Sequence, residues 1–170
     1  KTKKQKKSNL DKPIELHEAE LFKKSFNYPA LVSIALSGPG ATEIRYKSKK
    51  TNPNVSVRGG DENYLELNGY TITYGRNFTA SEVETGRNVC LIGSAVASRL
   101  FPDNNAKAVD AIISVDHVPY RIIGVLKDKG STAFFNTGKM ILTSYNNIRR
   151  LYASQNSSYS ITVMVNDMKL

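Results

Sequence analysis

The chain has 170 residues, a length that accommodates one ordinary domain or two small lobes. Its hydrophobic content of 40% and its periodic patterning exclude a disordered chain, and no apolar run approaches the roughly 18 residues of a membrane span. The net charge of +9 is concentrated at the start, because residues 1–12 hold six lysines and one aspartate.

The lysine-rich start is typical of a solvated arm, or of a segment that lies near anionic lipid headgroups. No aromatic residue interleaves with its lysines, and the sequence lacks helix-turn-helix, RNP-type and zinc-finger spacing, so we expect no nucleic-acid partner. An initiator methionine and a signal-peptide core are also missing. We therefore expect an excised domain, and any flanking membrane segments would lie outside this sequence.

An amphipathic helix is predicted from residue 15 to residue 26. Leu21, Phe22 and Phe26 share one face and are expected to be buried. Lys23 and the other charged side chains are expected to face solvent.

The rest of the chain alternates between strands and short helices, which predicts an α+β fold. Strands are predicted at 31–36, 42–47, 55–60, 70–74, 89–92, 111–115, 118–126, 139–142 and 159–165. Short helices are predicted after Asp61, which suits a helix cap, after the capping box Thr79-x-x-Glu82, at 94–101 and at 144–153. The two strands around Asp116-His117 are expected to form a hairpin, and residues 129–138 a loop.

Residues that carry chemistry in enzymes are few and scattered in this sequence. Gly93-Ser94 stands between a strand and a helix, but GxxxxGK[ST], GxGxxG and G-x-S-x-G are all missing. His17, His117 and the single cysteine, Cys90, have no metal-ligand spacing, and Cys90 is expected to be a buried small hydrophobe. The carboxylates stand in turns and at helix starts, where capping accounts for them. We predict no catalytic, cofactor-binding or metal-binding residue.

Phe134 and Phe135 are the candidate contact residues. Two adjacent aromatic residues in a polar, glycine-flanked loop do not easily both point inward. One alternative is a buried ring beside an incidentally exposed one. The other is a hydrophobic contact for a protein partner or a membrane surface.

The centre of the chain carries an ordered series of short motifs. They are Asn68-Gly69-Tyr70, Gly75-Arg76-Asn77-Phe78-Thr79, Asn88-Val89-Cys90-Leu91-Ile92-Gly93, Leu100-Phe101 and Tyr120-Arg121-Ile122-Ile123-Gly124-Val125. In this order they resemble the extracytoplasmic core domain of MacB-like ABC transporter permeases, which belong to the FtsX-like superfamily. The early helix and residues 55–67 fit the same pattern, so the resemblance covers nearly the whole chain.

The resemblance implies a two-lobed α+β domain. A porter-like lobe would be built from both chain ends, 9–58 and 154–170, and a mostly-β Sabre-like lobe with short helices would comprise 59–153. The domain would lie between two transmembrane helices of a dimeric permease, on the periplasmic side of the bacterial inner membrane. Residues 1–8 would be a lysine-rich arm that follows the first of these helices.

The function that the resemblance implies is non-catalytic. ATP would be hydrolysed in a cytoplasmic domain absent from this sequence, and the periplasmic parts would move in response. Family members use that motion to drive a tripartite efflux pump with a periplasmic adaptor, to extract lipoproteins or to activate cell-wall hydrolases.

One departure from the family pattern and two alternative functions remain. The porter-like lobe of the family normally continues into another helix and strand, whereas this sequence ends at Leu170, so either the sequence is cut short or the lobe is smaller. A free-standing periplasmic ligand-binding or sensor module would need a cavity of roughly 300 Å³ or more with a few polar anchors. A hydrolase with Ser94 as its nucleophile would need a histidine within hydrogen-bond reach.

Overall fold

The computed structural model describes residues 13–26, 30–129, 131–132, 135–136, 138–152 and 157–165. Within these residues the chain has a mixed α/β fold, in which short helices pack against one large sheet. The helices are α1 (Leu16–Ser25), α2 (Tyr64–Leu67), α3 (Ala80–Thr85), α4 (Ser94–Leu100) and α5 (Tyr145–Tyr152), with a 3₁₀ turn at Asn105–Ala108. The strands are β1 (Ala30–Ser37), β2 (Ile44–Tyr46), β3 (Lys49–Lys50), β4 (Ser56–Gly60), β5 (Ile72–Gly75), β6 (Val89–Ile92), β7 (Ile112–Val115), β8 (Val118–Leu126), β9 (Ser131–Thr132), β10 (Phe135–Asn136), β11 (Met140–Ser144) and β12 (Ser160–Val165).

The large sheet has the strand order β12-β1-β4-β11-β6-β8-β7-β2-β3 across the described residues, and β5 pairs with β8 beside this path. The pairs β4–β11 and β6–β8 are parallel, and the other pairs in the sheet are antiparallel. Strands β6 and β11 lie at the centre, and all their residues are buried. Burial on both faces explains why β6 has an unbroken apolar sequence instead of an alternating one.

Local sequence signals identify several element ends. At the start of α3 the Glu82 amide donates to Thr79 Oγ1 at 3.1 Å, and the Thr79 amide donates to Glu82 Oε1 at 3.0 Å. This helix ends at Gly86, whose φ of 63° is left-handed. Strands β7 and β8 form the predicted hairpin, with Asp116 and His117 at φ values of 48° and 65°. Two successive left-handed residues are what a two-residue hairpin turn requires.

Helix α1 faces the sheet with the side opposite to the one predicted. The predicted buried stripe is wrong, since Leu21 and Phe22 are 61% and 39% exposed. Ala19 is fully buried, and Lys23 turns inward instead of facing solvent. The Lys23 ammonium lies 2.9 Å from a carboxylate oxygen of the buried Asp61, so the inward side of the helix carries an ion pair that the apolar pattern does not predict.

The predicted division into two lobes stays a prediction. Its boundary at residue 58 falls inside β4. Strands β2 and β3 lie in the segment 9–58 but join the sheet through β7, which lies in the segment 59–153. Strand pairing therefore runs across the predicted boundary.

The lysine-rich arm predicted at residues 1–8 lies outside the described residues. Among the helices that the structure describes, none has the length and apolar character needed to cross a bilayer.

Candidate functional site

The strand-to-helix junction at Gly93-Ser94 is filled by the chain itself. At the start of α4 the amides of Ala95 and Val96 both donate to the carbonyl oxygen of Gly138, at 3.0 and 3.2 Å. A phosphate loop would offer such helix-terminal amides to its ligand. Because they are already occupied, the junction fastens α4 to the chain just before β11.

The residues considered for catalysis do not form a catalytic set. In the described part of the chain neither His17 nor His117 hydrogen-bonds Ser94, and both histidines are exposed. Cys90 is fully buried as predicted, and burial raises the pKa of its thiol. The described residues contain no group of three or more His, Cys, Asp and Glu side chains that could hold a metal ion.

The segment predicted as a loop at 129–138 contains a short hairpin. Strands β9 and β10 pair antiparallel, with Phe135 opposite Thr132. The loop prediction is wrong for these strands because threonine and phenylalanine favour extended pairing even in a polar context. Phe134 lies outside the described residues, and nothing is described of the Phe135 side chain, so their partner contact stays a prediction.

The chain enters and leaves this hairpin at anchored points. Before the hairpin, Lys129 Nζ donates to the carbonyl oxygen of Asn68 at 2.5 Å and lies 4.4 Å from the centre of the Tyr70 ring. Tyr70 in turn stacks on Tyr64 of α2, with ring centres 6.0 Å apart. After the hairpin, Gly138 accepts the two amides at the start of α4. The described residues on either side of the hairpin, Lys129 and Gly138, are therefore attached to the body of the domain.

A buried ionic cluster is centred on Asp61, directly after β4. The side chain of Asp61 is 0% exposed, and its carboxylate accepts hydrogen bonds from the Ile34 amide and the Ser33 hydroxyl, both at 2.8 Å. It also accepts from the Asn63 amide at 3.1 Å and from Lys23 Nζ at 2.9 Å. These donors replace the water that a buried carboxylate loses. The cluster joins α1, β1 and the start of α2.

Lys23 extends the cluster to a second carboxylate. Its ammonium lies 2.6 Å from Glu62 Oε1. Burial lowers the pKa of Lys23, but hydrogen bonds to Glu62 and Asp61 outweigh this effect, so the pKa is raised above its ordinary value. Lys23 therefore remains charged, and α1 is attached to the sheet by an ionic contact.

Sequence reasoning assigned Asp61 to a helix cap and missed this cluster. The cap assignment is wrong, because the N-cap of α2 is Asn63, and at this helix start the Asp61 carboxylate accepts only the amide of that residue. The other partners, Lys23 and Ile34, lie 38 and 27 residues away along the chain. The available signal was the four-residue spacing of Ala19 and Lys23, which places them on one helix face.

The family of the chain follows from comparison with known proteins. A family model described as "MacB-like periplasmic core domain" matches residues 3–169. This chain belongs to the MacB-like periplasmic core domain family. Membership confirms the resemblance drawn from the central motifs, and with it the assignment to a domain of an ABC transporter permease.

The relatives that match this chain are named as permeases and are much longer than it. The "Macrolide export ATP-binding/permease protein MacB" of Chlorobaculum tepidum is 37% identical over 91 residues, which are 54% of this chain and 13% of that protein. The protein of the same name from Mannheimia succiniciproducens is 29% identical over 114 residues, 67% of this chain and 17% of that protein. The "Uncharacterized ABC transporter permease YvrN" of Bacillus subtilis is 35% identical over 79 residues, 45% of this chain and 19% of that protein. The chain thus spans less than a fifth of the length of these relatives.

Solved structures confirm the mixed α/β fold of the family. The periplasmic region of MacB from Actinobacillus actinomycetemcomitans matches with a TM-score of 0.74 at 18% identity, over 95% of this chain and 69% of that one. The extracellular domain of the transporter YknZ from Gram-positive bacteria matches with a TM-score of 0.69 at 17% identity, over 91% of this chain and 74% of that one.

Proposed function

We propose that this domain carries no catalytic step and transmits motion from an ATP-driven permease to a partner outside the cytoplasm. In this proposal ATP is hydrolysed by another part of the transporter. The domain sits on the periplasmic side of the inner membrane, joined to flanking transmembrane helices of a permease homodimer. The periplasmic adaptor of a tripartite pump is the partner that we propose.

The observation that carries this proposal is a chain of hydrogen-bonded contacts from α1 to β11, the strand that follows the hairpin in the sequence. Lys23 of α1 binds Asp61, and Asp61 accepts the Ile34 amide of β1. Strand β1 pairs with β4, and β4 pairs with β11 over the register from Ser56–Met140 to Gly60–Ser144. Strand β11 begins just after the hairpin. A displacement of α1 would therefore move the hairpin base with it, because packed strands and hydrogen-bonded ladders deform little.

The far end of this path supports the hairpin as the place where the partner binds. The sequence of this segment contains Phe134 and Phe135, and aromatic side chains dominate the binding energy of many protein interfaces. Its base is held by Lys129 and Gly138.

Site-specific photo-crosslinking in the full-length permease tests this proposal. A photoreactive amino acid is placed at position 134 or 135, with Lys107 as a matched exposed position in the 3₁₀ turn. We expect covalent adducts with one extracytoplasmic protein from 134 and 135, and none from 107. The double variant Phe134→Ser and Phe135→Ser should weaken capture of the same protein about tenfold or more without unfolding the domain.

Two outcomes would contradict the proposal. Equal adducts from position 107, or unchanged capture by the double variant, would exclude the hairpin as the contact. ATP hydrolysis by the isolated 170-residue chain would exclude a non-catalytic domain.

A further inference from the structure

An open cleft of about 710 Å³ lies at the amino end of β6, beside Arg121 and Ile123 in the middle of β8. The hairpin follows the opposite, carboxyl end of β8, so the cleft is separate from the proposed partner contact. Its lining includes three arginines and two carboxylates, namely Arg76, Arg87, Arg121, Glu82 and Asp110. The volume is in the range of small-molecule sites, but the lining is charged instead of apolar.

One wall of the cleft is fixed by an internal ion pair. Arg76 donates from Nη1 and Nη2 to the two carboxylate oxygens of Glu82, at 2.7 and 3.1 Å. These hydrogen bonds lower the pKa of Glu82 to about 2, so the pair stays charged at neutral pH. The neighbouring Gly75 has a φ of 83°, and a Cβ atom there would meet Ile123 O at 2.1 Å. The charge of Arg76 is therefore neutralised by Glu82, and the backbone at Gly75 has little room to move.

A second wall is fixed by Arg150 from outside the cleft. Its Nη2 donates to Asn88 Oδ1 at 3.0 Å and to Asn147 Oδ1 at 2.6 Å, and its Nη1 donates to the Gly86 carbonyl oxygen at 3.4 Å. These bonds hold the turn that presents Arg87. These contacts therefore fix the backbone on either side of Arg87, and the Arg87 side chain takes part in none of them.

Arg87 and Arg121 are the two cleft arginines without a partner. Strands β6 and β8 bring them together, because Arg121 pairs with Val89 and its amide donates to Asn88 O at 2.9 Å. Both side chains are exposed, and neither has a hydrogen bond or ion pair within the part of the chain that the structure describes. With Arg76 neutralised by Glu82, the cleft keeps two unmatched positive charges against the single carboxylate of Asp110.

We propose that this cleft binds a small anionic molecule through the guanidinium groups of Arg87 and Arg121, which would take its carboxylate or phosphate oxygens. The planar fork of arginine donors fits both kinds of oxyanion. The carboxylate of Asp110 opposes the binding of anions and limits how many negative charges the ligand carries.

Titration of the 170-residue chain with citrate and with inorganic phosphate tests this site. Amide and arginine side-chain NMR signals are followed at constant ionic strength, so that general screening does not change. We expect saturable binding of at least one probe with a Kd on the order of 1 mM. The shifted signals should come from residues 75–76, 87–89, 109–110 and 121–123. Citrate and phosphate together distinguish a carboxylate site from a phosphate site.

Three variants and one control sharpen the test. Arg87→Gln and Arg121→Gln should each weaken binding about tenfold, the size of one lost charge-assisted contact. Asp110→Asn should tighten binding about threefold, because it removes the opposing charge. Lys127→Gln removes one positive charge from an exposed residue just beyond the other end of β8 and should leave the affinity within about twofold.

The proposal is overturned if neither probe gives saturable shifts in the cleft. It is also overturned if Lys127→Gln weakens binding as much as Arg121→Gln, because the shifts would then report general charge attraction.

Discussion

Replacing Asp61 by alanine tests how α1 is attached to the sheet. The change removes a carboxylate that is 0% exposed and leaves the Ile34 amide and the Ser33 hydroxyl without their acceptor. It also removes one of the two carboxylates that bind Lys23. Breaking one side of a buried ion pair costs about 3–5 kcal/mol.

The expected loss lies at the lower end of this range. Lys23 keeps Glu62 at 2.6 Å, and its side chain is 26% exposed, so water partly compensates its charge. The unsatisfied Ile34 amide adds about 1–3 kcal/mol, a contribution that overlaps with the first. We expect a total loss of about 3–4 kcal/mol in the free energy of unfolding.

Urea denaturation measures this loss. A decrease of about 3–4 kcal/mol corresponds to a midpoint lowered by roughly 2 M, for a slope near 2 kcal/mol/M. Asp61→Asn keeps one acceptor oxygen and should lose about half as much. Glu66→Ala, an exposed carboxylate of α2, is the matched control and should change stability by less than about 0.5 kcal/mol.

A double-mutant cycle with Lys23→Met isolates the contact between the two charges. We expect a coupling energy between positions 23 and 61 of about 1–3 kcal/mol, since residues in one network are not additive. A coupling energy below about 0.3 kcal/mol would refute the reasoning that Lys23 and Asp61 hold α1 in place.

Three further predictions follow from the same structure. Glu82 has a pKa of about 2 against an ordinary value of 4.5. The contribution of Glu82 to the free energy of unfolding is therefore fully present above pH 4.5 and is lost as the pH falls towards 2. Because the Arg76 side chain is 55% exposed, we expect this contribution to be only about 1–2 kcal/mol, and Arg76→Gln should flatten the stability profile measured by denaturation between these pH values. Gly75→Ala should lower the melting temperature by several degrees, because Gly75 has a left-handed φ and no space for a Cβ atom. Gly40 has no atom within 4 Å of the position of a Cβ atom, so the control Gly40→Ala should leave the melting temperature unchanged or slightly raised. Cys90 should react with a thiol reagent only as fast as the protein unfolds, and immediate labelling of the native chain would contradict its burial.

Local signals in the sequence were sufficient for much of the fold. The capping box of Thr79 and Glu82 and the turn at Asp116-His117 depend on neighbouring residues, and both form as predicted. The apolar run at 89–92 predicted a strand with a buried Cys90, and the structure has both. The family resemblance rested on the order of these local motifs, and the family comparison confirms it.

The features that sequence reasoning missed depend on residues far apart in the chain. The inward face of α1 is set by Asp61, 38 residues after Lys23, and helical periodicity alone favoured the opposite face. The cleft likewise brings Arg87 and Arg121 together through the parallel pairing of β6 and β8. Such pairings are fixed by tertiary structure, and hydrophobic patterning contains no signal for them.

The central claim is that this domain moves during the ATP cycle of the permease. Distances between spin labels in the full-length permease measure this motion directly. Labels go on exposed positions through Lys24→Cys and Lys127→Cys, and the buried Cys90 stays unlabelled. Within one copy, we expect the distance between positions 24 and 127 to stay constant with and without nucleotide, because α1 and the sheet move together. Between two copies, the distance from label to label at position 127 should change by several ångströms when ATP binds. An unchanged distance between copies would contradict motion transmission, and a changed distance within one copy would contradict the fixed attachment of α1.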